Sequence, residues 1–206
     1  MNEYISVNRH KIIFNFKWIT ILLTTIWTIY LLKLNSEDIS LDFKLILIGY
    51  CMATIILPLF TVLILSIQDL IEFVRINKIL SNNPFNQFLN IGFEKSYTEK
   101  KAKWTSSKPM LTGTLDNYPI RCEVENGIVR IIATANLDEI KKTDMKNWKE
   151  LFGDDNITYD WFGVALVYRP KKFKQLTFMD IETELRKFIK ILADTRISPL
   201  ESYGSR

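Results

Sequence analysis

The side chains in this chain that could do chemistry are few. One histidine, His10, is present, and it stands between Arg9 and Lys11 near the start. A Ser–His–Asp or Cys–His relay in the second half is thereby excluded, because both need an imidazole to move the proton. Two cysteines, Cys51 and Cys122, fall far short of a Cys/His zinc cluster. The seven glycines form neither Gly-x-x-x-x-Gly-Lys-Ser/Thr nor Gly-x-Gly-x-x-Gly, so phosphate-cradling loops of those kinds are missing. Carboxylates remain. Glu123 and Glu125 share one face of an expected strand, and Asp154, Asp155 and Asp160 gather around a turn. Paired carboxylates can act as acid and base or hold a hard cation, but solvated turns and helix caps use the same residues. The expectation is a non-enzymatic protein with no metal centre and no cofactor.

Two basic groups carry more information. Lys100, Lys101, Lys103 and Lys108 surround Trp104, and Arg169, Lys171, Lys172 and Lys174 form a later turn. A solvated surface accounts for both. A second use is contact with anionic lipid headgroups, at roughly 1 kcal/mol per nearby Lys or Arg. A third is a small phosphorylated ligand, with Trp104 stacked on a base and lysines on the phosphates. The candidate binding residues are Lys101, Lys103, Trp104, Arg169, Lys171 and Lys172. From Ser81 onward there are 20 Lys and Arg against 17 Asp and Glu, a balance that does not suit a nucleic-acid binder.

The elements that must position these groups begin with two apolar runs. Leu45–Gln68 has 24 residues and no formal charge, and Ile12–Leu32 has Lys17 as its only charge. A hydrocarbon core of about 30 Å needs roughly 20 such residues, so the two are expected to cross a bilayer as a hairpin. Trp18, Trp27 and Tyr30 near the ends of the first run are amphipathic rings of the kind that anchor spans. No small-residue cleavage site follows the first run, so it does not read as a signal peptide. Arg9, Lys11, Lys17, Arg75 and Lys78 flank the outer ends, against Lys33 and Lys44 in the connector. The positive-inside rule then puts both termini in the cytoplasm, at an inner membrane. Ser36, or Ser40 with Asp42, is expected to cap the second helix, and Pro58 to kink it.

Lys17, Thr20, Thr24 and Thr28 recur at steps of three or four and share a helix face. Gly49 and Ala53 form a small-xxx-small pair. These residues serve either packing within the hairpin or self-association, with the threonines lining a polar path between subunits. Asp69–Leu80 continues the helical period as a stalk, with Leu70, Phe73, Val74, Ile76 and Leu80 on its apolar side. Ser81-Asn82-Asn83-Pro84 ends it. The domain division expected is 1–80 and 81–206.

The second part opens with a short helix, Phe85–Ile91, stopped by Gly92. Three meander strands follow from Met110, turning at Asp116-Asn117 and Asn126-Gly127, the strongest short hairpin signal a sequence offers. In that register Glu123 faces Arg130 as an exposed ion pair. A helix over Asp144–Leu151 with Thr143 as cap comes next, then one bent strand or two joined near Gly163, a basic turn, and a helix over Phe178–Asp194 capped by Thr177 and Asp180. The fold class expected is a membrane hairpin followed by a cytoplasmic α+β domain, an antiparallel sheet with helices on one face.

That order of elements is similar to small secretion-chaperone-like binding domains. The layout of two apolar helices before a sensing domain resembles the short membrane effectors of bacterial antiphage defence. The resemblance implies an oligomerising, membrane-disrupting effector gated by its cytoplasmic domain. The preferred expectation is a membrane-held binding or sensor domain whose partners are the bilayer, a protein or small phosphorylated ligand, and other copies of the hairpin.

Overall fold

The computed structural model describes residues 2–37, 42–98, 102–160, 163–173 and 175–200, the side chains of 171 and 172 excepted. The chain divides into two compact units, Met1–Phe73 with Glu99–Ser107 and Val74–Thr98 with Lys108–Arg206.

The first unit is built on long apolar helices. Helix α1 spans Asn2–Ser36, 35 residues, or about 52 Å at 1.5 Å per residue. The polar lead before Ile12 is thus helical and continuous with the apolar run. After the connector come α2 (Phe43–Cys51), a π-helical turn (Met52–Ile56) and α3 (Leu57–Leu80). Asp42 caps α2, its carboxylate accepting the Lys44 N–H at 3.0 Å. Ser36 does not cap it, because its hydroxyl closes α1 on the Lys33 carbonyl at 2.6 Å. The irregularity expected at Pro58 lies in the π turn just before it. Proline has no N–H for the carbonyl four residues back and its ring crowds that carbonyl, so the backbone widens there. Both helical stretches are long and apolar enough to cross a membrane.

The second unit is a six-stranded antiparallel sheet in the order β1-β2-β3-β4-β6-β5. The strands are β1 (Glu94–Tyr97), β2 (Pro109–Leu115), β3 (Tyr118–Glu125), β4 (Ile128–Thr134), β5 (Ile157–Asp160) and β6 (Gly163–Tyr168). Both expected hairpin turns form, with φ of 48° and 69° at Asp116 and Asn117 and 51° and 78° at Asn126 and Gly127. Positive φ at both central positions matches the right-handed twist of the flanking strands. The stretch after Phe93 yields one strand, β1, that periodicity does not announce; four residues on a sheet edge are too short for an alternating signal.

Alternation sends Leu111, Ile120, Cys122, Ile131, Val164 and Leu166 to one face, which carries the core. Over it lie the 3₁₀ helix Phe85–Ile91, α4 (Lys142–Phe152) and α6 (Phe178–Asp194), the last burying Ile181, Leu185, Phe188, Ile189 and Leu192. Gly113 is required here, since a Cβ would stand 2.6 Å from the Phe93 ring. Helix α4 starts at Lys142, and the Asp144 carboxylate accepts the Lys141 N–H at 2.9 Å, so Thr143 lies inside the helix and is not its cap. Thr177 and Asp180 do form the reciprocal cap of α6. Pro170–Phe173 is a single helical turn, α5, in place of the expected basic turn; proline suits a first helical position. In α3, Ile76 and Leu80 join the core, whereas Val74 points outward.

Candidate functional site

The first half of α1 carries polar residues at positions 8, 11 and 15, in line with Tyr4 at helical spacing. The segment 102–107 binds along this line. Asn8 grips Ser107 from both sides: its side-chain oxygen accepts the Ser107 N–H at 2.7 Å, and its NH₂ donates to the Ser107 carbonyl at 3.3 Å. The Lys11 ammonium donates to the Thr105 carbonyl at 2.7 Å and the Ser107 hydroxyl at 2.9 Å. Asn15 reaches the Trp104 carbonyl at 3.4 Å. From α3, Asp69 accepts the Ser106 hydroxyl. Asn8 and Lys11 are 0% and 1% exposed. A lysine is rarely so buried unless its charge meets acceptors, and here the loop backbone supplies them.

This clamp holds Trp104. Its ring meets Phe14 edge-on at 4.8 Å and Trp18 at 5.9 Å between centroids. Lys103 places its ammonium 5.7 Å from the centre of the Phe14 ring, within cation–π range. Trp104 and Trp18 are nonetheless 59% and 48% exposed. Of the sequence candidates, Lys103 and Trp104 are thus gathered on α1 against Phe14 and Trp18, and Lys17 of the same helix is exposed; Lys101 lies outside the described residues. The holders Asn8, Lys11 and Asn15 were not among the sequence candidates. Their one signal was the recurrence of Asn8, Lys11 and Asn15 at steps of three and four along one line of α1.

Within the hairpin, the Trp27 indole packs on Gly49, where a Cβ would stand 1.9 Å from the ring. Thr28 gives its proton to the Thr24 carbonyl at 2.9 Å and lies 3.2 Å from the Tyr50 hydroxyl. The hydroxyls of Thr20 and Thr24 are buried without a hydrogen-bond partner, and Ala53 is buried. Trp27 thus fills the groove that the small residue Gly49 leaves open.

In the second unit, Arg169 pairs with Asp155 at 3.0 Å; Lys171 and Lys172 have no described side chains. The acids singled out above all have basic neighbours. Asp154 lies 3.8 Å from Lys149, and Arg130 pairs with Asp160 and, at 3.0 Å, with Glu125. Glu123 and Arg130 stand opposite in register, but the expected ion pair between them is replaced by one between Glu123 and Arg121 on the same strand face. Burial raises the Glu123 carboxyl above its usual range, with Arg121 opposing. Burial also pushes the Cys122 thiol up, so it is no nucleophile. A cavity of about 60 Å³ is lined by Phe152, Leu166, Tyr168, Leu176 and Glu184. The Tyr168 hydroxyl donates to Glu184 there at 2.8 Å, and burial first and Glu184 second raise its pKa. Among the described residues no group of three His, Cys, Asp or Glu could hold a metal ion.

No protein-family model, curated protein or solved structure matches the chain.

Proposed function

We propose that this is a membrane-anchored, non-enzymatic protein. The α1–α3 hairpin crosses an inner membrane, both ends of the hairpin are cytoplasmic, and the α+β unit is a binding or sensor module for a protein or small phosphorylated ligand. One observation carries the anchoring. The outward side chains of both helical stretches form a continuous apolar coat, from Ile21, Leu22, Ile26 and Ile29 on α1 to Leu59, Phe60 and Leu63 on α3. A coat of that extent is covered by lipid or by other protein. The excess of Lys and Arg at the outer ends supports the orientation. The pairing of the candidate acids with Arg and Lys supports their use as structural ions.

The test is alkaline carbonate extraction of cells expressing the full chain, together with a potential-sensitive dye. The chain is expected to stay in the pellet while the membrane potential holds. Release into the supernatant would end the anchoring reading. Collapse of the potential, abolished by Thr24→Leu with Thr28→Leu, would replace the sensor with a membrane-disrupting effector.

A further inference from the structure

We infer that Trp104, Trp18 and Phe14, with Lys103 and Lys17, form a seat for lipid headgroups, in which segment 102–107 adds its tryptophan to the interfacial belt of α1. The inference rests on the anchoring reading above and names what that membrane surface touches.

The first observation is exposure where packing would normally hide the rings. Trp104 and Trp18 contact each other and Phe14, yet each keeps about half of its surface open. Indole rings prefer the headgroup level, where an apolar body and a polar N–H are both satisfied. The second is position. The patch lies where α1 changes character: Arg9, His10 and Lys11 precede it, and the exposed run from Ile21 and Leu22 begins one turn beyond Trp18. Tyr4 meets Phe73 edge-on and Trp27 packs on Gly49, an antiparallel register that sets the patch between these two contacts.

The third observation is charge. Lys103 lies exposed against the Phe14 ring and Lys17, the residue before Trp18, is exposed as well, and basic groups at the headgroup level meet lipid phosphates. The fourth is pre-organisation. A loose loop would lose entropy on docking at a membrane, but here Asn8, Lys11 and Asn15 already hold the backbone of residues 104 to 107. The carbonyls of Trp104, Thr105 and Ser107 are met by those side chains before any lipid arrives.

The experiment is ¹⁹F NMR of the full chain labelled with 5-fluorotryptophan, in vesicles of phosphatidylcholine and phosphatidylglycerol. The lines of residues 18, 27 and 104 are assigned by Trp18→Phe, Trp27→Phe and Trp104→Phe, each assignment variant first checked for an otherwise unchanged spectrum. A nitroxide attached beside the lipid headgroup is expected to erase the Trp104 and Trp18 lines, and the Trp27 line, from the far half of the same run, is erased by that nitroxide or by one at the chain terminus. Survival of the Trp104 line beside the headgroup nitroxide, with Trp27 erased by either probe, overturns this inference and leaves the anchor standing. Survival of all three lines with both probes overturns the anchor as well.

Discussion

At Asn8 one amide side chain satisfies both backbone groups of Ser107, and neither group has access to water to replace it. Asn8→Ala strands them, at a cost of about 1–3 kcal/mol for a buried group without a partner. Each 1.4 kcal/mol is about a tenfold shift in an equilibrium. Trypsin cleavage after Lys103, followed by mass spectrometry, should therefore speed up about tenfold or more; an unchanged rate would mean that the clamp does not hold the loop. Asp180 makes a pH-dependent contribution of a different kind. Hydrogen bonds from the Thr177 hydroxyl and N–H hold its carboxyl below the usual range. A lowered carboxyl pKa adds stability that is present above the ordinary value of about 4 and lost as the pH falls through the folded value. The urea midpoint of Asp180→Asn in detergent should thus lie below that of the native chain at neutral pH. The gap should close below about pH 4; a gap of constant size would refute the assignment.

At the scale of elements, the hairpin depends on Gly49. Any side chain there collides with the Trp27 ring, and overpacking of this kind typically costs about 1–3 kcal/mol. Gly49→Val should lower the thermal midpoint of the first unit in detergent and shift Trp27 emission, and Trp27→Ala in the same chain should restore part of the loss. Without that rescue, the contact is not what Gly49 serves. The sheet's elements were more legible than the hairpin's details. Asn126-Gly127 and Asp116-Asn117 announce turns because few residues tolerate positive φ, and Thr177 with Asp180 announces a helix start because a first turn has N–H groups to satisfy. Strand β1 and helix α5 gave no such signal, being four residues each and stabilised by what they pair with or pack on.

For the whole molecule, the two cysteines report on two kinds of shielding. Cys122 is hidden by protein and its thiol is raised by burial. Cys51 is exposed on the hairpin and, in the anchored reading, is covered by lipid. In intact membranes a water-soluble maleimide should label neither; in urea Cys122 should react while Cys51 stays silent. Labelling of Cys51 in intact membranes would sink the anchor. The apolar runs, the meander turns and the last helix follow from the sequence alone, because burial period and turn conformation are local properties of the chain. The site was decided by tertiary structure. Asn8 and Trp104 stand nearly a hundred residues apart, and nothing local says that a lysine in a polar lead will be buried under a loop backbone. Only folding brings donors on α1 within reach of carbonyls at 104 to 107, and the cost of leaving either side unsatisfied makes the contact specific.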